Sequence, residues 1–163
     1  MRWLLSILFK VAPNMAYDLI VKQLNKTVPF ARHAGVEIVT IEKGRAVASL
    51  PFRPEGLNHI GTQHAAALFA LGEAASGAAM AGAFASMLLE IRPVAAEAAI
   101  QFLAVARGAV RAEATVKGNA DDLVSAVRTD GKAVLQVAVK LTSEDGVEVA
   151  GMTIDWHVSK KRS

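Results

Sequence analysis

From Ala65 to Leu89 the chain carries a single charge, Glu73, within a run made mostly of Ala and Gly. A segment of that length and apolarity fits either a bilayer or the interior of a protein. The first is disfavoured: Ala and Gly partition weakly into hydrocarbon, and Glu73 would add a penalty of roughly 3 kcal/mol. A helix apolar on every side is otherwise stable where other elements enclose it. The expectation is therefore a core helix with no membrane span, and the remaining sequence must supply the enclosure.

The enclosing elements read as strands. "GVEIVTIEKGRAVASLPF" holds two, joined at Lys43 and Gly44, with Val36, Ile38, Val47 and Leu50 marking apolar faces. "AAEAAIQFLAVARGAVRAEATVKG" holds two more. Val110, Ala112, Ala114 and Val116 alternate there with Arg111, Glu113, Thr115 and Lys117, which gives one wet face. "KAVLQVAVKLTSEDGVEVAGMTIDWHV" is a long hairpin turning at Asp145 and Gly146, with Val137, Val139 and Leu141 inward and Trp156 in the core. Ahead of them, Pro13 to about Lys26 reads as a helix, with Asn14 able to cap it and Ala16, Leu19, Ile20 and Leu24 on one face. "NADDLVSAVRTDG" from Asn119 is a long connection with room for a helical turn. The fold class is α+β: six antiparallel strands around one long helix, preceded by an N-terminal helix.

With 163 residues, 53% of them hydrophobic and 20% charged, the chain has the size and core material of one domain, residues 1–163, in which 1–30 form an N-terminal helical extension. The apolar run from Trp3 to Phe9 is broken by Lys10 and lacks a cleavage pattern, so a docking helix is expected there rather than a signal peptide. The net charge is +3, much of it from Lys160 to Arg162, a solvated tail. No basic stripe with interleaved aromatics points to nucleic acid. Cysteine is absent, which removes disulfides, thiolate metal sites and a Cys nucleophile, and fits a cytoplasmic location. No two of the four histidines have short helical metal-site spacing, so no metal is expected, and His33, His59 and His157 read as structural or exposed.

The chemistry-bearing residues cluster just before and inside the long helix. Amides at a helix start are unsatisfied donors backed by the positive end of the dipole, so those of Ala65 and Ala66 suit an oxyanion. His64 can donate to the same oxygen or orient a substrate, and Asn58 can bind a carbonyl or a water. Glu73 suits a general base, or a nucleophile, because an apolar setting raises its pKa. Each has a structural alternative: Glu73 as a cap or ion-pair partner, His64 as a satisfied histidine, Asn58 as a turn residue near Gly56 and Gly61. Ala65 and Glu73 lie about 12 Å apart along a helix axis, so one subunit cannot bring both to one carbonyl.

The order Asn58, Gly61, His64, the small pair Ala65 and Ala66, then Glu73 nine positions after the histidine resembles the hotdog-fold acyl-coenzyme A thioesterases, in particular the phenylacetate-pathway and hydroxybenzoyl thioesterases. The strand order is similar over nearly the whole chain, and an extra N-terminal helix is similar to one branch of that fold. The resemblance implies hydrolysis of a fatty or medium-chain acyl thioester, with Glu73, His64 and Asn58 catalytic and Ala65, Ala66 and Gly61 on the oxyanion or substrate. It implies coenzyme A as part of the substrate and no separate cofactor. It also implies a homodimer, or a dimer of dimers, in which the acid of one subunit faces the helix start of the other; the Ala and Gly residues from Ala74 to Ala85 would let the two helices approach. A non-catalytic acyl-binding protein is the competing class, and a dehydratase on the same fold a third.

Two departures stand out. Relatives usually carry Gly-Gly after the histidine, where Ala65 and Ala66 add two methyl groups. Some place a hydroxyl one turn after the acid, where this chain has Gly77, with Ser76 on another side of the helix. Arg92, Arg107 and Arg111 are candidates for nucleotide phosphates.

Overall fold

The computed structural model describes residues 11–161. The expected docking helix from Trp3 to Phe9 and the end of the basic tail lie outside the described residues. The elements run α1 (Pro13–Thr27), α2 (Pro29–Ala34), β1 (Glu37–Glu42), β2 (Arg45–Leu50), α3 (Ala65–Ala83), β3 (Ile91–Phe102), β4 (Val110–Val116), α4 (Ala120–Asp130), β5 (Lys132–Ser143) and β6 (Glu148–Lys160). The six strands form one antiparallel sheet in the order β1-β2-β4-β5-β6-β3.

That order explains the long helix. β2 lies next to one edge and β3 is the opposite edge, so the connection between them has to cross four strand spacings, about 19 Å. A helix of 19 residues rises about 28 Å and covers that width. The sheet curls around it: Leu71, Ala75 and Ala79 have no exposed surface, and Phe84 closes its end equally buried. Gly72 and Gly82 allow the closest approaches. A methyl at Gly82 would collide with the Glu42 carbonyl of β1, and one at Gly72 with the Met152 sulfur of β6. Small residues of the helix thus serve the chain's own fold, in which Ala75, Ala78, Ala79 and Ala81 are all buried, while Ala74 and Gly77 stay half-buried.

The strand alternation is as expected in β4, whose Val110, Ala112, Ala114 and Val116 are buried between exposed neighbours. In β2 the inward residues are Ala46, Ala48 and Leu50; Val47 has the opposite parity and is not among them, because a period of two cannot put both Val47 and Leu50 on one face. The helical run ends at Ala83, short of the expected Leu89, and a 3-10 segment follows over Ala85–Glu90. The Asn119 segment is a full helix: Asn119 caps it by accepting from the Asp121 amide at 2.8 Å, and Val127 anchors it in the core. Asn14 does not cap α1, which starts on Pro13 with Ala12 as its cap residue. Lys160 and Lys161 are not a loose tail. Lys160 pairs with Ile91 at the end of β6, and the Lys161 ammonium donates to the Leu89 carbonyl at 3.0 Å.

An interaction with no periodic signature fixes α1. Asn25 donates to the Ile38 carbonyl at 2.9 Å and accepts from the Ile38 amide at 2.8 Å, so its amide side chain imitates a neighbouring strand at the β1 edge. The β1–β2 pairing shifts register immediately beyond, between Ile38 and Thr40. Leu24, beside Asn25, then packs against the core.

Candidate active site

The segment before α3 is a tightly bonded loop. Asn58 accepts from the Ile60 and Thr62 amides, both at 3.1 Å, and donates to the Thr62 hydroxyl at 2.8 Å. All of its polar capacity toward the loop is engaged, which is the turn role rather than a hand held out to a ligand. Gly61 has φ of 75°, and nothing lies near where its side chain would be, so the turn needs glycine for its dihedral and not for space. Gln63, absent from the residues singled out above, is 3% exposed. Its amide donates to the Pro51 and Gly108 carbonyls at 3.1 Å each, tying the loop to the end of β2 and to the β3–β4 connection. A glutamine in a turn carries no periodic or motif signal by which it could have been found.

His64 is the N-cap of α3. Its Nδ1 accepts from the Ala66 amide at 3.0 Å, so in this state the ring proton sits on Nε2 and Nε2 is the donor left over. The Ala66 N–H, expected to face an oxyanion, is bonded to the cap in this structure. The Ala65 amide, at the first helical position, meets no acceptor among the described residues. The helix start therefore offers one amide and one imidazole N–H, together with the positive end of a long dipole.

Glu73 lies on the part of α3 that the sheet leaves uncovered. Ala66, Phe69, Glu73 and Gly77 follow one another at helical spacing and are all exposed or half-buried. Burial raises the Glu73 pKa above the ordinary carboxylate range, with no charged partner contributing. Its backbone is held from beneath: the Ser76 hydroxyl donates to the Glu73 carbonyl at 2.8 Å and accepts from the Trp156 indole N–H at 3.2 Å. Ser76 and Trp156 are buried, so this hydroxyl supports the helix turn that carries the acid.

The sequence-predicted residues do not meet within the chain. Glu73 lines an apolar cavity of about 210 Å³ between α1, α2 and α3. His64 and Ala66 border a second cavity, of about 450 Å³, with His33, Arg53 and Glu55. Asn58 and Ala65 border a third, of about 370 Å³, against Phe102 and the loop after it. Among the described residues no three His, Asp or Glu side chains converge as a metal site. Arg111 is engaged with Glu113 at 3.1 Å and stands with none of these residues.

A six-stranded antiparallel sheet wrapped around one long helix, with a carboxylate at mid-helix and a capped helix start preceding it, is the hotdog fold of thioesterase-family proteins. The solved structures agree. A Pseudomonas aeruginosa protein of unknown function, described as a probable thioesterase, superposes with a TM-score of 0.72 at 25% identity, over 88% of this chain and 95% of its own. A thioesterase family protein from Silicibacter pomeroyi gives 0.70 at 21% identity, over 86% and 96%. The Escherichia coli PaaI protein from the phenylacetic acid degradation operon gives 0.60 at 22%, over 78% and 86%. No curated sequence matches significantly. The chain belongs to the family described as domain of unknown function DUF4442, whose profile matches residues 17–158.

Proposed function

We propose that the protein is a thioester hydrolase acting on acyl-coenzyme A, with Glu73 as the general base and the active site assembled from two subunits. The observation that carries this reading is the setting of Glu73: a half-buried acid without a charged partner, at the rim of an apolar cavity, on the face of α3 its own sheet leaves open. A carboxylate kept there has no structural use among the described residues. Desolvation makes it a stronger base toward water.

The chemistry balances without a separate cofactor. Water attacks the thioester carbonyl carbon and gives a proton to Glu73. The carbonyl oxygen becomes an oxyanion, met by the Ala65 N–H and the His64 Nε2–H of the second subunit. The C–S bond breaks as the carbonyl re-forms, and the departing sulfur takes the proton from Glu73. Asn58 and Gln63 act indirectly, by holding the loop that aims His64.

The second subunit is required because Glu73 and the Ala65 amide are about 12 Å apart along α3. β3 supports the pairing. It is an edge strand of 12 residues, bulged between Ala95 and Glu97, in which Val94, Ala95, Ala98 and Ala99 are exposed, an apolar stretch of edge open to a second strand. Pro93 of β3 also lines the Glu73 cavity, so a copy paired along this edge arrives beside the acid.

One observation favours the competing reading, an acyl-binding protein without turnover: His64 takes up the Ala66 amide and Asn58 is spent on its loop, so the oxyanion has few donors. Hydrolysis measured over a panel of acyl-coenzyme A chain lengths, with Glu73→Ala and Glu73→Gln in parallel, separates the two. A hydrolase loses at least about a hundredfold in turnover in both variants and keeps binding. A carrier shows no turnover to lose.

A further inference from the structure

The cavity beside Glu73 shares two lining side chains with a neighbouring one. Leu24 of α1 and Leu88 of the 3-10 segment line both the 210 Å³ cavity that holds Glu73 and an apolar cleft of about 400 Å³ between α1 and that segment. At about 210 Å³ the Glu73 cavity is somewhat larger than the ~150 Å³ apolar cavity that takes a benzene-sized ligand, which is room for an alkyl group of about six to eight carbons. The cleft on the far side is bordered by Leu19, Ile20 and Leu89 and opens to solvent, since Leu19 is 48% and Leu89 39% exposed. The two spaces together are nearly three times the first, and the two leucines are the side chains they have in common. Neither leucine is fixed by a polar contact, while α1 itself is pinned one residue away, where Asn25 grips β1.

The occupant follows from the lining. Asn25 is fully used by Ile38, and Arg32, an exposed residue, directs its guanidinium to the Lys26 carbonyl at 3.4 Å. Glu73 is then the polar end; apart from the Trp156 ring near Gly77 the apolar wall toward Leu24 and Leu88 is aliphatic, which suits an unbranched hydrocarbon with its polar end at the acid. We propose, resting on the acyl-thioester reading above, that Leu24 and Leu88 are the specificity-determining residues. They close the acyl cavity at a straight chain of about six to eight carbons, and α1 is the element that sets this length.

The test uses the full chain and straight-chain carboxylic acids of four to sixteen carbons, whose binding is measured directly by titration calorimetry. Affinity of the wild type is expected to climb about fourfold per methylene and to level off at six to eight carbons. In Leu24→Ala and in Leu88→Ala the rise continues to longer acids, so that the twelve-carbon acid gains at least about tenfold over the six-carbon acid relative to wild type. Leu24→Met, which keeps the volume, retains the wild-type profile. Milder Leu24→Val and Leu88→Val variants give the same shift, in smaller measure, if the alanine variants do not fold. Acyl-coenzyme A hydrolysis is followed on the same proteins. A length profile that shifts without any hydrolysis would retain the partition and overturn the catalytic reading. Hydrolysis with a length profile that ignores both leucines would overturn the partition and leave catalysis standing.

Discussion

Glu73 shows how one residue can be conspicuous in a sequence while its supports are not. Its isolation in an apolar run is legible directly, and so is the rise in its pKa, since both follow from the neighbours' lack of polar atoms. The Trp156–Ser76 pair beneath it is 80 positions apart in sequence and becomes visible only when β6 lies against α3. The burial of Glu73 has two pH consequences. A general base works only when ionised, so the proposed role requires kcat/KM of the wild type to rise with pH through a pKa above the ordinary carboxylate range, as read from a pH–rate profile. The native state also keeps this proton at pH values where the unfolded chain has lost it. Stability conferred at low pH is therefore eroded as pH rises from the ordinary carboxylate pKa through the raised one. Glu73→Gln cannot ionise and lacks that slope. Its Tm should exceed that of wild type at neutral pH, and the gap should close at pH values below the ordinary carboxylate range; a gap that widens on acidification would contradict the burial argument.

At the scale of elements, periodicity located the strands and the helix but not the joints between them. β4 and the β5–β6 hairpin alternate because one face is wet, and α3 is recognisable because no face is. The helix α4 reads in the sequence as a connection with room for a turn, because its exposed side is so polar that the few inward residues, Leu123, Val124 and Val127, make too short a pattern. The three glycines of α3, evenly spaced in sequence, turn out to be unequal. Gly82→Ala should destabilise by about 1–3 kcal/mol, since β1 would have to move away from the added methyl. At Gly77 the same methyl would sit at ordinary contact, 3.5 Å from the Trp156 ring, so Gly77→Ala should be neutral or stabilising by about 0.5–1 kcal/mol. Urea unfolding of the two variants reads both. Asn25→Ala should cost about 1–3 kcal/mol, because it leaves the Ile38 amide and carbonyl without their partner and frees α1 from the sheet edge. An unchanged midpoint would mean that apolar packing alone seats α1.

At the scale of the whole molecule, the sequence named the candidate residues better than it placed them. Asn58, His64, Ala65 and Glu73 lie within sixteen positions, yet they open onto three separate cavities, because a helix spreads along its axis what the chain keeps close in number. The fold's free edge offers the remedy. Val94→Lys and Ala99→Lys on β3 should yield monomers in analytical ultracentrifugation and abolish turnover without unfolding the sheet, since both side chains are exposed in the subunit. The most direct measurement of the central claim, a Glu73-assisted site shared by two subunits, is complementation. Ala65→Pro deletes the amide at the first helical position, where proline is well tolerated and where His64 already has the extended backbone that precedes a proline. Glu73→Gln deletes the base. Each variant alone should be inactive. Refolded together in equal amounts, half of the dimers are mixed and each mixed dimer retains one intact site, so about a quarter of wild-type acyl-coenzyme A turnover should return. Mixed dimers that form yet hydrolyse no faster than either parent would contradict the shared site.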